Sequence, residues 1–381
     1  MTLACSRSTN TGERGFVLIT MTLGAVALMG ALGMAVDISR MFIAKSETQA
    51  FCDSAALAAA LALDGTTNGI ATAQAAVANS TNTWNLGTTR IANPSVVFAT
   101  ALNGPWVANP NPAAGYTYAQ VSATAALQLY FLPVLVAENF QNVASAATAA
   151  QIAITSFPRG LAPYAGVSTN TTGPNFGLVP GNTYDIQWPQ YNGTKHGCGP
   201  GNPEKCFNSP PCADEPKASE AAVVSNWGAN ISGYWGSTSN RSIEQEILDV
   251  IQLQAVSVGT NIYPVLTSGN KASEAGYLDE RASQDNNTTD NTAAAYLANP
   301  HNGRRLLPVP IVDPFDPTTT TVIGYGQFLL LANGPGVSNY YTKTTNGNDP
   351  FCAIYVGPYN VGSIGPGAGS STGATRVKLV Q

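Results

Sequence analysis

Cys198, Cys206 and Cys212 fall within "KHGCGPGNPEKCFNSPPC", starting two residues after His196, and Cys352 lies far downstream in "DPFCAIYVG". Thiolates beside an imidazole are the ligand types of zinc. In an oxidising compartment the same thiols pair as disulfides. Seven and five residues separate the clustered cysteines, wider than the tight pair of a zinc knuckle. A Pro/Gly-rich exported loop gains most from a covalent cross-link. Two disulfides among Cys198, Cys206, Cys212 and Cys352 are therefore the expectation, with zinc as the alternative. Cys5 precedes the first apolar run, on the reducing side, and Cys52 lies in an Ala-rich helical stretch.

Other chemistry finds little footing. There are two histidines, His196 and His301, and no nucleophile elbow, metalloprotease helix motif or phosphate-binding loop. "DNNTTDN" from Asp285 has the outline of a calcium loop but lacks Gly at its sixth position and a later Glu, so it reads as solvated loop polarity. A net charge of −5 and a pI near 5.0 leave no basic footprint for nucleic acid. The expectation is a protein that is not an enzyme, with no cofactor, no metal and no small-molecule substrate.

The elements that position these residues begin with a membrane. Phe16 to Val36 is free of charge over 21 positions, which at about 1.5 Å per residue crosses a hydrocarbon core of roughly 30 Å. That is longer than the apolar core of a signal peptide. The short leader, residues 1–15, is expected inside, and everything beyond Asp37 outside. Ala, Leu, Lys, Glu and Gln then dominate to Leu63, so the helix continues out of the membrane until Asp64-Gly65 stops it. Ile38, Phe42, Lys45, Gln49, Cys52, Ala56, Ala59 and Leu63 form its expected packing stripe. Asp37, Arg40 and Asp53 read as interfacial anchors and a solvated face.

Further on, Tyr118 to Ala126 alternates as a strand, Pro133 keeps any helix after it short, and Val143 to Ile154 is a second strand. Beyond residue 156, short apolar runs such as "RLLPVPIVDP", "TTVIGYGQFLLLANG" and "FCAIYVG" are punctuated by Gly, Pro and Asn, the pattern of an antiparallel β domain. "SIEQEILDVIQLQ" reads as a helix capped by Ser242, with Ile243, Ile247, Val250 and Gln254 inward and Glu244, Glu246 and Asp249 outward. "GSIGPGAGSSTGAT" reads as a flexible loop before "RVKLVQ", a terminal strand that pairs back.

The order Arg14-Gly15, an apolar span, Val36-Asp37, a basic helix, Gln49, Asp53 and "AALAAA" at 55–60 resembles the N-terminal segment of TadE/TadG-like proteins of Flp (tight adherence) pilus assembly. "YAQVSATAALQLYFLPVLVAENFQNVASAATAA" resembles the same family, and "SFPRGLAPYAG", "GNTYDI" and "GRRLLPVPIVDP" resemble the ectodomain attached to TadG-like anchors. The resemblance implies a membrane-anchored pilus-assembly protein in the bacterial inner membrane, with its C-terminal domain periplasmic or extracellular. Its partners would be other pilus-assembly or pseudopilin subunits. Some TadG-like relatives carry a von Willebrand A domain whose metal site begins Asp-x-Ser-x-Ser; "DISRM" at Asp37 lacks the second Ser, so a member without that domain is expected.

Gly15-Phe16-Val17-Leu18-Ile19 also fits a prepilin cleavage site, but the fifth residue after the cut is Thr20 where pilins carry Glu. An uncleaved anchor and a cleaved pseudopilin or pilus-associated adhesin both stand, the anchor favoured by the missing carboxylate. The expected fold class is α+β: one transmembrane helix running into a juxtamembrane helix, then a loop-rich, mainly antiparallel β ectodomain. The expected division is a leader at 1–15, helix at 16–64, a small pilin-like αβ region at 65–155, and a β-rich domain at 156–381.

Overall fold

In the computed structural model the described residues are 13–80, 83–84, 88–134, 138–162, 166–168, 170–185, 245–249, 252, 255–261, 272–313, 321–331, 352–362 and 366–380. Helix α1 runs Glu13–Leu61, and its N-terminal half stands clear of the rest of the protein. Phe16, Leu18, Met21 and Leu23 are between 66% and 73% exposed. Apolar side chains in that number have no reason to face water, and the helix is long and apolar enough to cross a membrane.

Past Asp37 one side of α1 becomes buried through Ala44, Thr48, Phe51, Cys52, Ala55, Ala56, Ala59 and Ala60. The expected stripe is right at its far end and wrong at its near end, because Ile38 and Phe42 are 45% and 71% exposed. The sheet approaches α1 along its smallest side chains, which admit a close backbone. At about 100° per residue, Ile38 and Phe42 point roughly 100° and 140° away from Asp37. Asp64 stops the helix by accepting from Thr66 N at 2.8 Å and from the Thr66 hydroxyl at 2.7 Å. Thr66 Oγ1 in turn caps α2 (Thr67–Asn79) through Gly69 N. Helix α2 folds back on α1 with Ile70, Ala73 and Val77 inward.

A two-strand ribbon, β1 (Thr83–Trp84) with β2 (Thr89–Arg90), leads to the first large sheet. Its central strands are β4 (Tyr118–Gln128) and β5 (Phe140–Ala153), with β3 (Ala92–Ala99) on the β4 edge. The β4–β5 ladder runs unbroken from Tyr118↔Ala150 to Gln128↔Phe140, and β4 alternates between buried and more exposed positions along its length. Pro133 lies in the single 3₁₀ turn at Leu132–Val134 between the two strands. The inward side chains are mostly Ala and Val, so α1 packs closely across this face.

The second sheet is built on β10 (Leu306–Val312) and β11 (Val322–Leu330), both buried along almost their whole length. The flanking strands are β7 (Gly166–Val167), β8 (Thr183–Asp185) and β12 (Cys352–Gly357), in the order β7-β10-β11-β12-β8. A short pair, β6 (Ser156–Phe157) with β9 (Val256–Ser257), lies beside it. Helices α3 (Ala272–Ser283) and α4 (Ala293–Ala298) place Leu278 and Tyr296 in its core.

Two strands from late in the chain, β13 (Tyr359–Val361) and β14 (Ala374–Leu379), join the first sheet, in the order β13-β14-β5-β4-β3. The terminal strand therefore pairs back as expected, antiparallel to β5 from Thr375↔Ala153 to Leu379↔Ala149. The loop before it is not free, at least over 366–373. Buried Gln151 donates to Ala60 O at 2.8 Å and Leu63 O at 2.7 Å, while its Oε1 accepts from Ala368 N at 2.9 Å and from the Thr375 hydroxyl at 3.1 Å. One amide thus joins the end of α1, the Gly-rich loop and β14.

The helix expected from Ser242 is described only as a turn at 245–248; Ser242, Ile243, Glu244, Val250 and Gln254 lie outside the described residues. Asp249 is exposed as expected, but Glu246 is 2% exposed, against the expected outward position. Arg281 and Arg304 both donate to Leu248 O at 2.6 Å, which pins the carbonyls at the end of this turn. That fixes the turn with Glu246 and Ile247 both inward.

Candidate functional site

The polar residues of α1 just past the span converge on the foot of the first sheet. Asp37 is fully buried. Its carboxylate accepts from the backbone N–H groups of Tyr130 at 3.1 Å, Phe131 at 2.8 Å and Leu132 at 2.8 Å. These are the otherwise unpaired donors at the start of the 3₁₀ turn, and a negative charge there satisfies them together. Asp37 is therefore no interfacial anchor in solvent but the residue that fastens the β4–β5 connection to the helix. One turn on, Arg40 Nη1 donates to Gln128 O at 2.8 Å, and its guanidinium lies 4.5 Å from the centre of the Tyr130 ring.

The next residues along α1 serve a strand edge. Thr148 O accepts from Val380 N at the end of β14. Period-two alternation then turns the carbonyls of Ala146 and Ala144 to the same edge, beyond the reach of β14. Lys45 Nζ donates to Ala144 O at 2.6 Å and Gln49 Nε2 to Ala146 O at 3.1 Å. Gln49 also donates to Asp53 Oδ1 at 2.8 Å, which orients its amide. The half-buried Asp53 is thus a positioning group rather than part of a purely solvated face. Cys52, a buried free thiol, approaches Ser145 O at 3.4 Å. Of the residues singled out by the sequence, Gln49 and Asp53 are hydrogen-bonded to each other, Asp37 meets the same sheet about 18 Å down the helix, and Arg14 and Gly15 lie in the first turn of α1, farther still. Arg40 and Lys45 complete the site, and the one-turn steps from Lys45 to Gln49 to Asp53 were the signal for it.

The Asp285 loop is a second polar centre, and it corrects the reading of solvated polarity. Asp285 and Asn287 are 5% and 7% exposed, and Arg305 is fully buried. Asp285 Oδ2 accepts from the Tyr296 hydroxyl at 2.5 Å and from Arg305 N at 2.9 Å. Arg305 donates to Leu330 O, Asn287 O and Asp290 O within 2.8 Å and lies 4.9 Å from the Tyr296 ring centre. Burial alone would raise the Asp285 carboxyl, but the bonds from Tyr296, Asn287 and Arg305 outweigh it and hold it below the usual carboxylate range. Burial and the Asp285 bond push the Tyr296 hydroxyl up, and burial holds the His301 imidazole down. His301 packs against Tyr296 with ring centres 4.1 Å apart and the rings tilted by 32°. The carboxylate of Asp285, the Tyr296 hydroxyl and the Arg305 guanidinium are spent on holding loop to sheet, while the buried Nδ1 of His301 has no partner among the described residues.

A cavity of about 670 Å³ opens beside β6, lined by Arg159, Arg376, Asp249, Phe157 and Tyr359 among others. Gln252, also at its wall, is committed to Phe157 O at 2.6 Å and Leu161 N at 3.0 Å. Among the described residues no group of three or more His, Cys, Asp and Glu is placed to hold a metal. Cys198, Cys206, Cys212 and His196 lie outside the described residues. Cys352 opens β12 opposite Asp185.

Residues 15–62 match the model of a family described as putative Flp pilus-assembly TadE/G-like. No curated protein and no solved structure matches the chain.

Proposed function

We propose, on the premise that residues 15–62 are a TadE/G-like pilus-assembly segment, that this chain is a structural, membrane-anchored component of Flp/Tad-type pilus assembly. The single observation that carries the reading is that family match, which falls on the one described helix long and apolar enough to cross a membrane. The leader stays in the bacterial cytoplasm, the helix is the single pass through the inner membrane, and the β-rich remainder is periplasmic or extracellular. The division is 1–15, 16–64, 65–155 and 156–381. Partners are other pilus-assembly or pseudopilin subunits, met through protein–protein contacts without catalysis, and Cys198, Cys206, Cys212 and Cys352 form two disulfides outside the membrane.

The second reading, a cleaved pseudopilin or pilus-associated adhesin, is favoured by Gly15-Phe16-Val17-Leu18-Ile19 alone. Against it, the Thr20 hydroxyl donates to Phe16 O and Val17 O of its own helix, each at 3.0 Å. It offers no charge to a neighbouring subunit, so filament register gains nothing from it. Intact mass from the host membrane fraction separates the readings. An uncut leader is expected, together with a mass about 4 Da below the fully reduced form for two disulfides. Loss of residues 1–15 would transfer the protein to the filament. Deleting the coding sequence should abolish surface pili, and re-expression of the full chain should restore them; normal piliation in the deletion strain would end the assembly reading.

A further inference from the structure

The foot of the ectodomain carries apolar residues that its own fold leaves uncovered. Tyr130 is 58%, Phe131 47% and Phe140 59% exposed. On α1, Ile38, Phe42 and Ile43 are 45%, 71% and 49% exposed. The six lie along the stretch of α1 from Gly33 to Ile43, about 15 Å of helical rise. The Phe131 ring lies directly on Gly33, where an added Cβ would stand 2.6 Å from it. Tyr130 N bonds to Asp37, the Tyr130 ring meets Arg40, and Phe140 pairs in register with Gln128, whose carbonyl Arg40 holds. The hairpin occupies the Asp37 side of the helix, while Phe42 and Ile43 point roughly 140° and 120° away from Asp37 in opposite senses. The uncovered residues therefore surround the stalk instead of forming a single face.

We propose that this collar is embedded in the outer interfacial layer of the same bilayer that α1 crosses. The inference rests on the anchored reading above and adds that the ectodomain sits down on the membrane instead of standing off it. Three observations carry it. The collar is continuous with the exposed apolar surface of the span, which runs from Phe16 to Val36. Several polar groups at its level are already paired within the protein: Asp37 with three N–H groups, Arg40 with Gln128 O and the Tyr130 ring, and Leu129 N with Asn139 O. Little hydration is lost when such a surface leaves water. Tyr130, a ring with one polar end, suits the headgroup boundary, and the rings of Phe42, Phe131 and Phe140 suit its acyl side. Exposed Glu138 in the β4–β5 connection holds the collar at headgroup depth and no deeper. An encircling band fits a layer, whereas a second protein copy would meet one side.

The test places the photoreactive p-benzoylphenylalanine singly at positions 28, 102, 130 and 140 of the full chain, reconstituted in vesicles of phosphatidylethanolamine and phosphatidylglycerol. Aromatic replacement at 130 and 140 keeps the local packing. Leu28 is 64% exposed in the span and Leu102 is 38% exposed on the ectodomain, so they report the anchor and the water phase. Lipid adducts at 28, 130 and 140, with none at 102, are the expected result. Adducts at 28 but not at 130 or 140 overturn the collar and leave the anchor standing. A covalent dimer at 130 or 140 in place of lipid would assign the band to a second copy and overturn the inference, and no lipid adduct at any position overturns both readings.

Discussion

A carboxylate inside a protein is tolerable only when its acceptor capacity is filled, and Asp37 fills it with three consecutive backbone N–H groups 93 to 95 residues away. Asp37→Ala leaves those donors facing an apolar pocket, which at about 1–3 kcal/mol for each unsatisfied group makes a loss of several kcal/mol reasonable. The expected readout is new protease cleavage between residues 128 and 140 in detergent solution, with Asp37→Asn intermediate. Glu246 gives a prediction of opposite character. Burial pushes its carboxyl from 4.5 up to about 8, and neither oxygen has a hydrogen-bond partner among the described residues. The native state holds this proton after the unfolded chain has lost it, so stability is greatest at low pH and falls as pH rises from 4.5 through about 8. Glu246→Gln should flatten that part of a melting-temperature profile and raise stability at pH 8; an unchanged profile would place the carboxylate in water. At this scale the sequence was least legible. Asp37 stood out as a residue, but the amides that bind it belong to a distant loop whose approach no local pattern encodes. The loop from Asp285 looked like solvated polarity for the same reason.

Elements were legible wherever local physics sufficed. Charge-free length marks the first half of α1, alternation marks β4, Pro133 limits the turn after it, and Asp64 with Gly65 ends the helix. The buried face of α1 was misjudged at its near end because hydrophobicity predicts contact only where the partner can approach. Here the sheet selects Ala44, Thr48, Ala55 and Ala59 and leaves Phe42 outside. Small size is therefore the property under constraint. Ala56→Leu inserts three carbons where exposure is 0% and should destabilise by about 1–3 kcal/mol, seen as a lower melting temperature by circular dichroism. Gln151→Leu keeps the volume but abandons four hydrogen-bond partners, two of them carbonyls at the end of α1. Amide exchange should then accelerate at Ala368 and along β14 while the β10–β11 core is unaffected. Faster exchange everywhere would mean that the amide supports the whole fold and not one junction.

Over the whole molecule, the two large sheets keep separate cores but share the chain's late strands. Removing residues 366–381 strips β5 of its partner along Ala149–Ala153 and leaves an open, Ala-rich edge, so the truncated protein should associate in detergent where the full chain does not. Gel filtration with light scattering reads this directly. The antiparallel plan was visible in the sequence; which strands joined which sheet was not, since pairing across such separations leaves no local mark. That separation also sets a clock. Thr375 meets Gln151 across 224 residues, and at about 5–20 residues per second the ribosome needs roughly 10–45 s to span the gap. Throughout that interval β5 exists without its neighbour and the end of α1 without its clasp. Each newly made chain must be shielded from its siblings while it waits for its own later residues, so crowding on a busy polysome works against this protein.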